Sequence, residues 1–242
     1  MIPKVIHYCW FGRKPLPKSA RRCVASWREY LPDYEIVRWD EDNYDVNKTA
    51  YTREAYAAKK YAFVSDYARF DILYRHGGMY FDTDVEVVRP MDDILARGAF
   101  MGCEIDGGGS PGIAVAPGLG MAAEPGMDVY RQILDYYEGL RYLQPDGSPL
   151  PATVVKHTTE VLLQCGLQNA SGIQRVGGVT VYPAEYFNPY DDPTGRLRIT
   201  DNTRAIHWFT KSWLPRHIRC RARVTRVFHR AFGVDFFARI KR

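Results

Sequence analysis

Apolar residues recur along this chain in two rhythms, and the alternation between them describes an α/β domain. Val5-Ile6-His7-Tyr8-Cys9-Trp10 is apolar at nearly every position and follows Pro3, which reads as a buried strand of a largely parallel sheet. Its exit loop, Phe11-Gly12-Arg13-Lys14-Pro15, leaves at the strand's carboxyl end, where ligands bind in open α/β sheets. Between Pro17 and Leu31 the residues Ala20, Val24, Trp27 and Leu31 recur at helical spacing, and Pro32 stops the run. Tyr34 to Trp39 alternates as a second strand, so the chain opens as strand, helix, strand.

A long helical stretch is expected from Tyr51 to His76, broken near Lys59-Lys60 and closed by a C-cap at Gly77-Gly78. Strand signals follow at Met79 to Phe81, Val85 to Val88, Phe100 to Cys103 and Ile113 to Ala116. Helices are expected near Met127 to Leu140 and Thr153 to Cys165, then strands near Val179 to Tyr182 and Ala205 to Phe209. Asp106 to Gly112 is rich in Gly and reads as a mobile loop inside the domain, because compact patterning resumes at once. The organisation implied is one domain over residues 1–215 and a tail over 216–242.

With 46% hydrophobic and 14% aromatic residues, a chain of 242 residues has enough apolar surface for one sizeable core. The net charge of +5 is unevenly spread: residues 216–242 hold nine basic residues and one acid, and the rest holds 24 basic against 27 acidic residues. A mildly acidic body speaks against a body-wide nucleic-acid face, so no nucleic acid partner is expected; the tail points to one anionic partner. In that tail Val224, Val227, Phe228, Ala231 and Phe232 recur at helical spacing, with Arg219, Arg223, Arg226 and Arg230 on much of the complementary surface. Such a helix lies in a membrane interface or docks its apolar stripe on the body, and the charge favours an anionic membrane surface. The five cysteines are odd in number and scattered, which reads as reduced thiols without a zinc site. Met1 to His7 has neither the basic lead nor the apolar run of a signal peptide, so the expectation is a cytoplasmic protein, peripheral on the cytoplasmic face of the membrane.

The chemistry centres on Tyr80-Phe81-Asp82-Thr83-Asp84-Val85-Glu86-Val87-Val88. Aspartates spaced i, i+2 at a strand end point to one side and can hold a hard divalent cation through oxygen ligands. A diphosphate leaving group needs such a cation to neutralise its charge as it departs. Asp40-Glu41-Asp42 also fits the pattern, but it sits in a polar loop, whereas Asp82 and Asp84 lie between two apolar strands. Asp66 and Arg69 share a helix face within the otherwise apolar Tyr61 to Phe70. Buried there, they need hydrogen-bonding partners, which sugar hydroxyls or a phosphate would supply, although an ordinary intrahelical ion pair has the same spacing. His207 closes an apolar strand, with Ser212 and Trp213 just beyond; it reads equally as a core histidine or as a further ligand of the same metal or diphosphate. His7, Trp10, Phe11 and Trp39, near the ends of the first two strands, can stack a base, and core packing explains them as easily.

Three segments together resemble family 32 of the glycosyltransferases, DXD-containing sugar transferases that include capsular polysaccharide enzymes and initiating mannosyltransferases. They are Ile2 to Gly12, Ala58 to Arg69 continuing through Gly77 to Asp84, and His207 with Ser212-Trp213. The resemblance implies a GT-A fold, a Rossmann-like, mostly parallel sheet flanked by helices. It implies a UDP- or GDP-sugar donor, Mn2+ or Mg2+ as cofactor, a saccharide acceptor and retention of anomeric configuration. Carried onto this chain, Asp66 and Arg69 hold the donor sugar, Asp82 faces ribose and metal, and Asp84 ligates the metal. His207 completes the metal site and Ser212 and Trp213 touch the diphosphate; Gly78, Tyr80 and Thr83 of the central motif fall in the same donor site. Two rivals remain at this point: a haloacid-dehalogenase-type phosphatase using Asp82 and Asp84, and a non-catalytic sugar-binding module of the same fold.

Overall fold

The structure, a computed structural model, describes residues 1–211, 216–234 and 236. The first unit is β1 (Val5–Cys9), α1 (Lys18–Tyr30) and β2 (Glu35–Trp39), with β1 and β2 parallel and Val5 opposite Glu35. Two helices follow, α2 (Ala50–Ala57) and α3 (Tyr61–His76). Thr49 and Thr52 cap α2 reciprocally through side chain and backbone. The break falls at Lys59, whose φ of 57° no helix interior accommodates. Gly77, at φ 63°, then ends α3, which is the cap that the glycine pair predicts.

Next come β3 (Gly78–Tyr80), β4 (Val85–Val87), the short α4 (Asp92–Leu95), β5 (Phe100–Ile105), β6 (Ala114–Val115) and β7 (Met121–Ala123). Helices α5 (Asp128–Glu138) and α6 (Val154–Gln164) precede β8 (Gln174–Val176) and β9 (Val179–Tyr182). The chain continues through α7 (Ala184–Phe187), the small hairpin β10 (Tyr190–Asp191) and β11 (Arg196–Leu197), then β12 (Ala205–His207) and α8 (Arg216–Phe232).

The main sheet runs β2-β1-β3-β7-β5-β9-β8, with β6 paired to β5. β2, β1, β3, β5 and β9 point one way, and β7 and β8 run against them, so the sheet is mostly parallel. Side chains alternate between its faces. Cys9, Tyr80, Met101 and Met121 pack on one side with α3, α5 and α6; Ile6, Met79, Phe81, Phe100 and Ala122 pack on the other with α1 and α7. A sheet covered on both faces leaves its strand ends as the exposed polar rim, and the candidate residues gather there.

Besides α4, α7, β8 and the β10–β11 hairpin, which the sequence reading did not mark, two departures position the site. β7 fills the gap between β3 and β5, yet Met121-Ala122-Ala123 has little strand propensity and is held as a strand by its two neighbours. β4 leaves the main sheet to pair antiparallel with β12, setting His207 opposite Val85. This second pairing joins the acidic turn to a segment more than 120 residues away. α1 supports it: Trp27 Nε1 donates to Val85 O at 2.8 Å and Val87 N donates to Ser26 Oγ at 3.0 Å.

Candidate active site

The Asp82-Thr83-Asp84 turn lies between β3 and β4, and its two carboxylates are held by different partners. Asp82 Oδ1 accepts from Arg69 Nη2 at 3.1 Å and from the Tyr80 hydroxyl at 3.2 Å. Arg69 also reaches Asp66 Oδ1 at 3.0 Å, donates through Nε to Ser65 O at 3.1 Å, and lies over the Tyr80 ring. One buried guanidinium therefore serves two carboxylates, which is more than the intrahelical pair that spacing alone allows. The backbone N–H of Asp82 donates to Gly118 O at 3.1 Å, in a 3-10 turn at Pro117–Leu119. An alanine Cβ at residue 118 would stand 2.0 Å from Asp82 Oδ2, so glycine is what lets the carboxylate lie there.

Asp84 is held from the β12 side. Its Oδ1 faces His207 Nε2 at 3.1 Å, and its Oδ2 accepts from the Thr210 N–H at 2.8 Å and hydroxyl at 2.9 Å. Phe209 and Lys211, at φ 46° and 48°, flank Thr210 in left-handed backbone, which L side chains adopt at some cost. Nearby Trp208 donates its N–H to Asp84 O at 3.0 Å and its indole Nε1 to Glu86 Oε2 at 2.7 Å.

These contacts set the charges. Burial pushes the Asp84 carboxyl up, but His207 and the Thr210 hydrogen bonds outweigh it and hold it well below the usual carboxylate range. Burial pushes His207 down and Asp84 pulls it up, with a net rise. Asp66 is pushed up to about 7, by burial first, with Arg69 opposing and Asp82 adding. Asp82 is also raised, burial prevailing over Arg69 and the neighbouring Asp84 adding to it. With both carboxyls ionised the Asp66-Arg69-Asp82 group carries one surplus negative charge at a strand end, and the raised pKa values reflect its cost; a cation relieves it.

Among the described residues, no three His, Cys, Asp or Glu side chains converge closely enough to hold an ion unaided. The donors present still suit a hard divalent cation. Asp84 Oδ1 and His207 Nε2 lie side by side, 3.1 Å apart, and Asp82 Oδ2, with its side chain 29% exposed, has no protein hydrogen bond among the described residues. Mg2+ and similar ions commonly take one or two carboxylates and fill the remaining positions with substrate phosphates and water. Asp82, Asp84 and His207 fit an ion that arrives with a diphosphate, not a closed protein cage.

The other candidates are arranged as follows. Tyr80 and Gly78 are buried; Tyr80 touches Asp82, whereas Gly78 packs against the backbone of Val5 and the His7 ring. Thr83 is half-buried at the apex of the turn. His7 has both ring nitrogens engaged: Nε2 pairs with Gly77 O and Nδ1 accepts from Trp39 Nε1, each at 3.0 Å. Trp39 packs among His7, His76 and Tyr44, and Phe11 is buried against Tyr44. Trp10 is half-buried at the rim, its indole donating to Lys14 O. Of the four aromatics proposed for stacking, His7 and Phe11 are occupied in the core. Ser212 and Trp213 lie outside the described residues. The rival acidic turn is open: Asp42 is 73% exposed and pairs with Arg13 on the surface. Sequence reasoning missed Gly118 and Thr210; both act through positions set by tertiary pairing, and no local pattern marks them.

The description "Glycosyltransferase sugar-binding region containing DXD motif" matches residues 17–101, which span the helices and turn just described. Inositol phosphoceramide mannosyltransferase 1 of Schizosaccharomyces pombe is 30% identical over 111 residues, covering 41% of this chain and 33% of the relative. The uncharacterized glycosyltransferase L373 of Acanthamoeba polyphaga mimivirus is 31% identical over 106 residues, covering 41% of this chain and 42% of the relative. The match thus spans less than half the length of these curated relatives. Among solved structures, galactosyltransferase LgtC in complex with donor and acceptor sugar analogs covers 91% of this chain and 93% of its own, at 15% identity and a TM-score of 0.47. Residues 17–101, with the Asp82-Thr83-Asp84 turn among them, are thus similar to the DXD-containing sugar-binding region of glycosyltransferases, and these relatives share that likeness.

Proposed function

We propose that this chain transfers a hexosyl group from a UDP- or GDP-sugar to a saccharide acceptor, with Mn2+ or Mg2+ and with retention of configuration, in polysaccharide or glycan assembly. The observation that carries the reading is the pair of differently held aspartates: Asp82 on Arg69 and Tyr80, Asp84 on His207 and Thr210, side by side on one turn. A bound divalent ion supplies charge neutralisation for the departing diphosphate. Asp84, His207 and Asp82 would hold the ion, and Arg69 fixes Asp82 and would keep a guanidinium near the sugar. In the step needing fewest residues, the acceptor oxygen bonds to the anomeric carbon on the face that the diphosphate leaves. The carbon–oxygen bond to the diphosphate breaks, and the acceptor proton passes to the departing phosphate oxygen.

Two relatives bear the name inositol phosphoceramide mannosyltransferase. A lipid-linked saccharide is accordingly the acceptor class proposed here, with the enzyme peripheral on the cytoplasmic face of the membrane. The domain over residues 1–215 would carry the transfer, and the 216–242 tail the membrane contact. The test is a panel of UDP- and GDP-sugars screened by thermal melting with Mn2+, followed by hydrolysis of the hit with and without chelator. At a hundred times Kd, a donor binding only the folded state adds about 2.7 kcal/mol, a rise of about 5–10 °C for a chain of this length. No stabilisation by any donor with Mn2+, together with no chelator-sensitive hydrolysis, would overturn the reading.

A further inference from the structure

Helix α8 sits on the body the opposite way round from a terminal helix that buries its apolar stripe. Its inner side is polar. Arg226 Nε donates to Asp192 O at 2.8 Å, its guanidinium pairs with the Asp192 carboxylate, and it lies over the Tyr190 ring at 5.5 Å. Arg196 Nη2 donates to Arg230 O at 3.1 Å, and the His229 ring meets Pro193 O at 3.3 Å. The β10–β11 hairpin and the segment between its strands thus grip the helix through hydrogen bonds and charge.

Its outer side is apolar. Cys220, Val224, Val227 and Ala231 follow one another at i, i+4, i+7 and i+11, one line along the helix, and all four are exposed. Val224 is 60% exposed, Val227 69% and Phe232 61%. Exposed Arg221 and Arg230 lie on either side of that line. An apolar line bordered by arginines is the profile of a helix that lies in a membrane interface, apolar side in the acyl boundary and cations among the headgroups. No described helix is long and apolar enough to cross a membrane.

We propose that this outer side of α8 docks on an anionic phospholipid surface. The alternative occupant, a second copy of the chain, is disfavoured by charge. A two-fold contact sets the same patch against itself, and residues 216–242 hold nine basic residues and one acid. An anionic leaflet neutralises that charge and covers the apolar line together. Asp192 takes Lys211 as well as Arg226, and Lys211 follows the Thr210 that holds Asp84, so the latch of the membrane helix is continuous with the segment that completes the donor site.

The experiment is vesicle flotation of the full chain with phosphatidylcholine alone and with phosphatidylglycerol added, at rising salt. Two double variants accompany it, Val224→Asp with Val227→Asp and Arg221→Ala with Arg230→Ala. The parent is expected to float with anionic vesicles and to leave them at high salt. The valine pair should lose binding, and the arginine pair should lose about 25-fold, about fivefold for each cation removed. Melting temperatures should stay at the parent's value, because these side chains face water. The proposal is overturned if the parent ignores anionic vesicles at low salt, or if the folded valine pair binds as well as the parent. It is overturned equally if the chain dimerises through this side without binding vesicles. This docking rests on the peripheral-membrane part of the proposed function; flotation needs no donor or turnover, so its failure removes that part and leaves glycosyl transfer standing, and the reverse holds too.

Discussion

Gly118→Ala is a small change that should disable the acidic turn, and the size of its effect follows from the geometry. The new Cβ would stand 2.0 Å from Asp82 Oδ2 and 3.0 Å from its Cγ, with Arg69 Nη1 at 3.4 Å. A carboxylate usually evades such a contact by rotating, but Asp82 is anchored by Arg69 and Tyr80 through Oδ1 and by its own N–H to Gly118 O. Rotation therefore breaks a charge-assisted hydrogen bond worth about 1.5–3 kcal/mol and leaves Arg69 with Asp66 as its one carboxylate. The Asp82 side chain is 29% exposed, so water recovers part of the loss. The expected net cost is about 2 kcal/mol, a fall of about 4–8 °C in Tm. The same rotation takes Oδ2 away from the ion position, and a misplacement of this kind costs about a hundredfold in turnover. Melting curves with and without Mn2+ and donor, followed by donor hydrolysis, measure both. Gly109→Ala is the control, since no atom lies within 4 Å of the Cβ it would gain; it should stay within about 0.5 kcal/mol of the parent. A Gly118→Ala protein that melts and hydrolyses donor like the parent would refute the anchoring of Asp82.

Three further predictions follow from the same contacts. Arg69→Lys should lose about 2 kcal/mol and most donor binding, because an ammonium cannot span Asp66, Asp82 and Ser65 O at once; parent-like Tm and donor affinity would show that the guanidinium fork is not used. Asp84→Asn should keep its fold and lose metal-dependent stabilisation by donor, whereas Asp42→Asn, on the exposed turn, should change neither, so equal damage from both would mean that the wrong turn has been assigned. Asp66 supplies the pH test, measured without metal: its carboxyl is pushed up to about 7 in the folded protein, from 3.8, so the stability it contributes is complete at acid pH and is lost as pH rises through about 7. Asp66→Asn abolishes that loss, and the Tm difference, variant minus parent, should climb between pH 4 and pH 8; a flat difference would show that Asp66 titrates normally.

Most of the secondary structure was legible because local chemistry agreed with it. Val5 to Cys9 is apolar enough for a buried strand, Gly77 can take the left-handed φ that ends α3, and Lys59 marks the break between two helices whose apolar spacing is otherwise continuous. The acidic turn was legible for the same reason: two aspartates between short apolar runs read as a strand-end rim. β7 was not legible, since Met121-Ala122-Ala123 becomes a strand only when β3 and β5 stand on either side of it.

The sequence by itself determined which residues have the right chemistry: Asp66 and Arg69 on one helix face, Asp82 and Asp84 on one turn, and a basic amphipathic segment at the end. Tertiary structure decided how they are used. Only the β4–β12 pairing carries His207 and Thr210 to Asp84, and only the turn at Gly118 lies close enough to Asp82 to make the missing side chain matter. The grip of the β10–β11 hairpin on Arg226, His229 and Arg230 settles which side of α8 faces out. The physical reason is common to all three. Periodicity and residue type report what a segment can bury or bind, whereas the partner it meets is set by chain closure over long separations, to which a local pattern is blind.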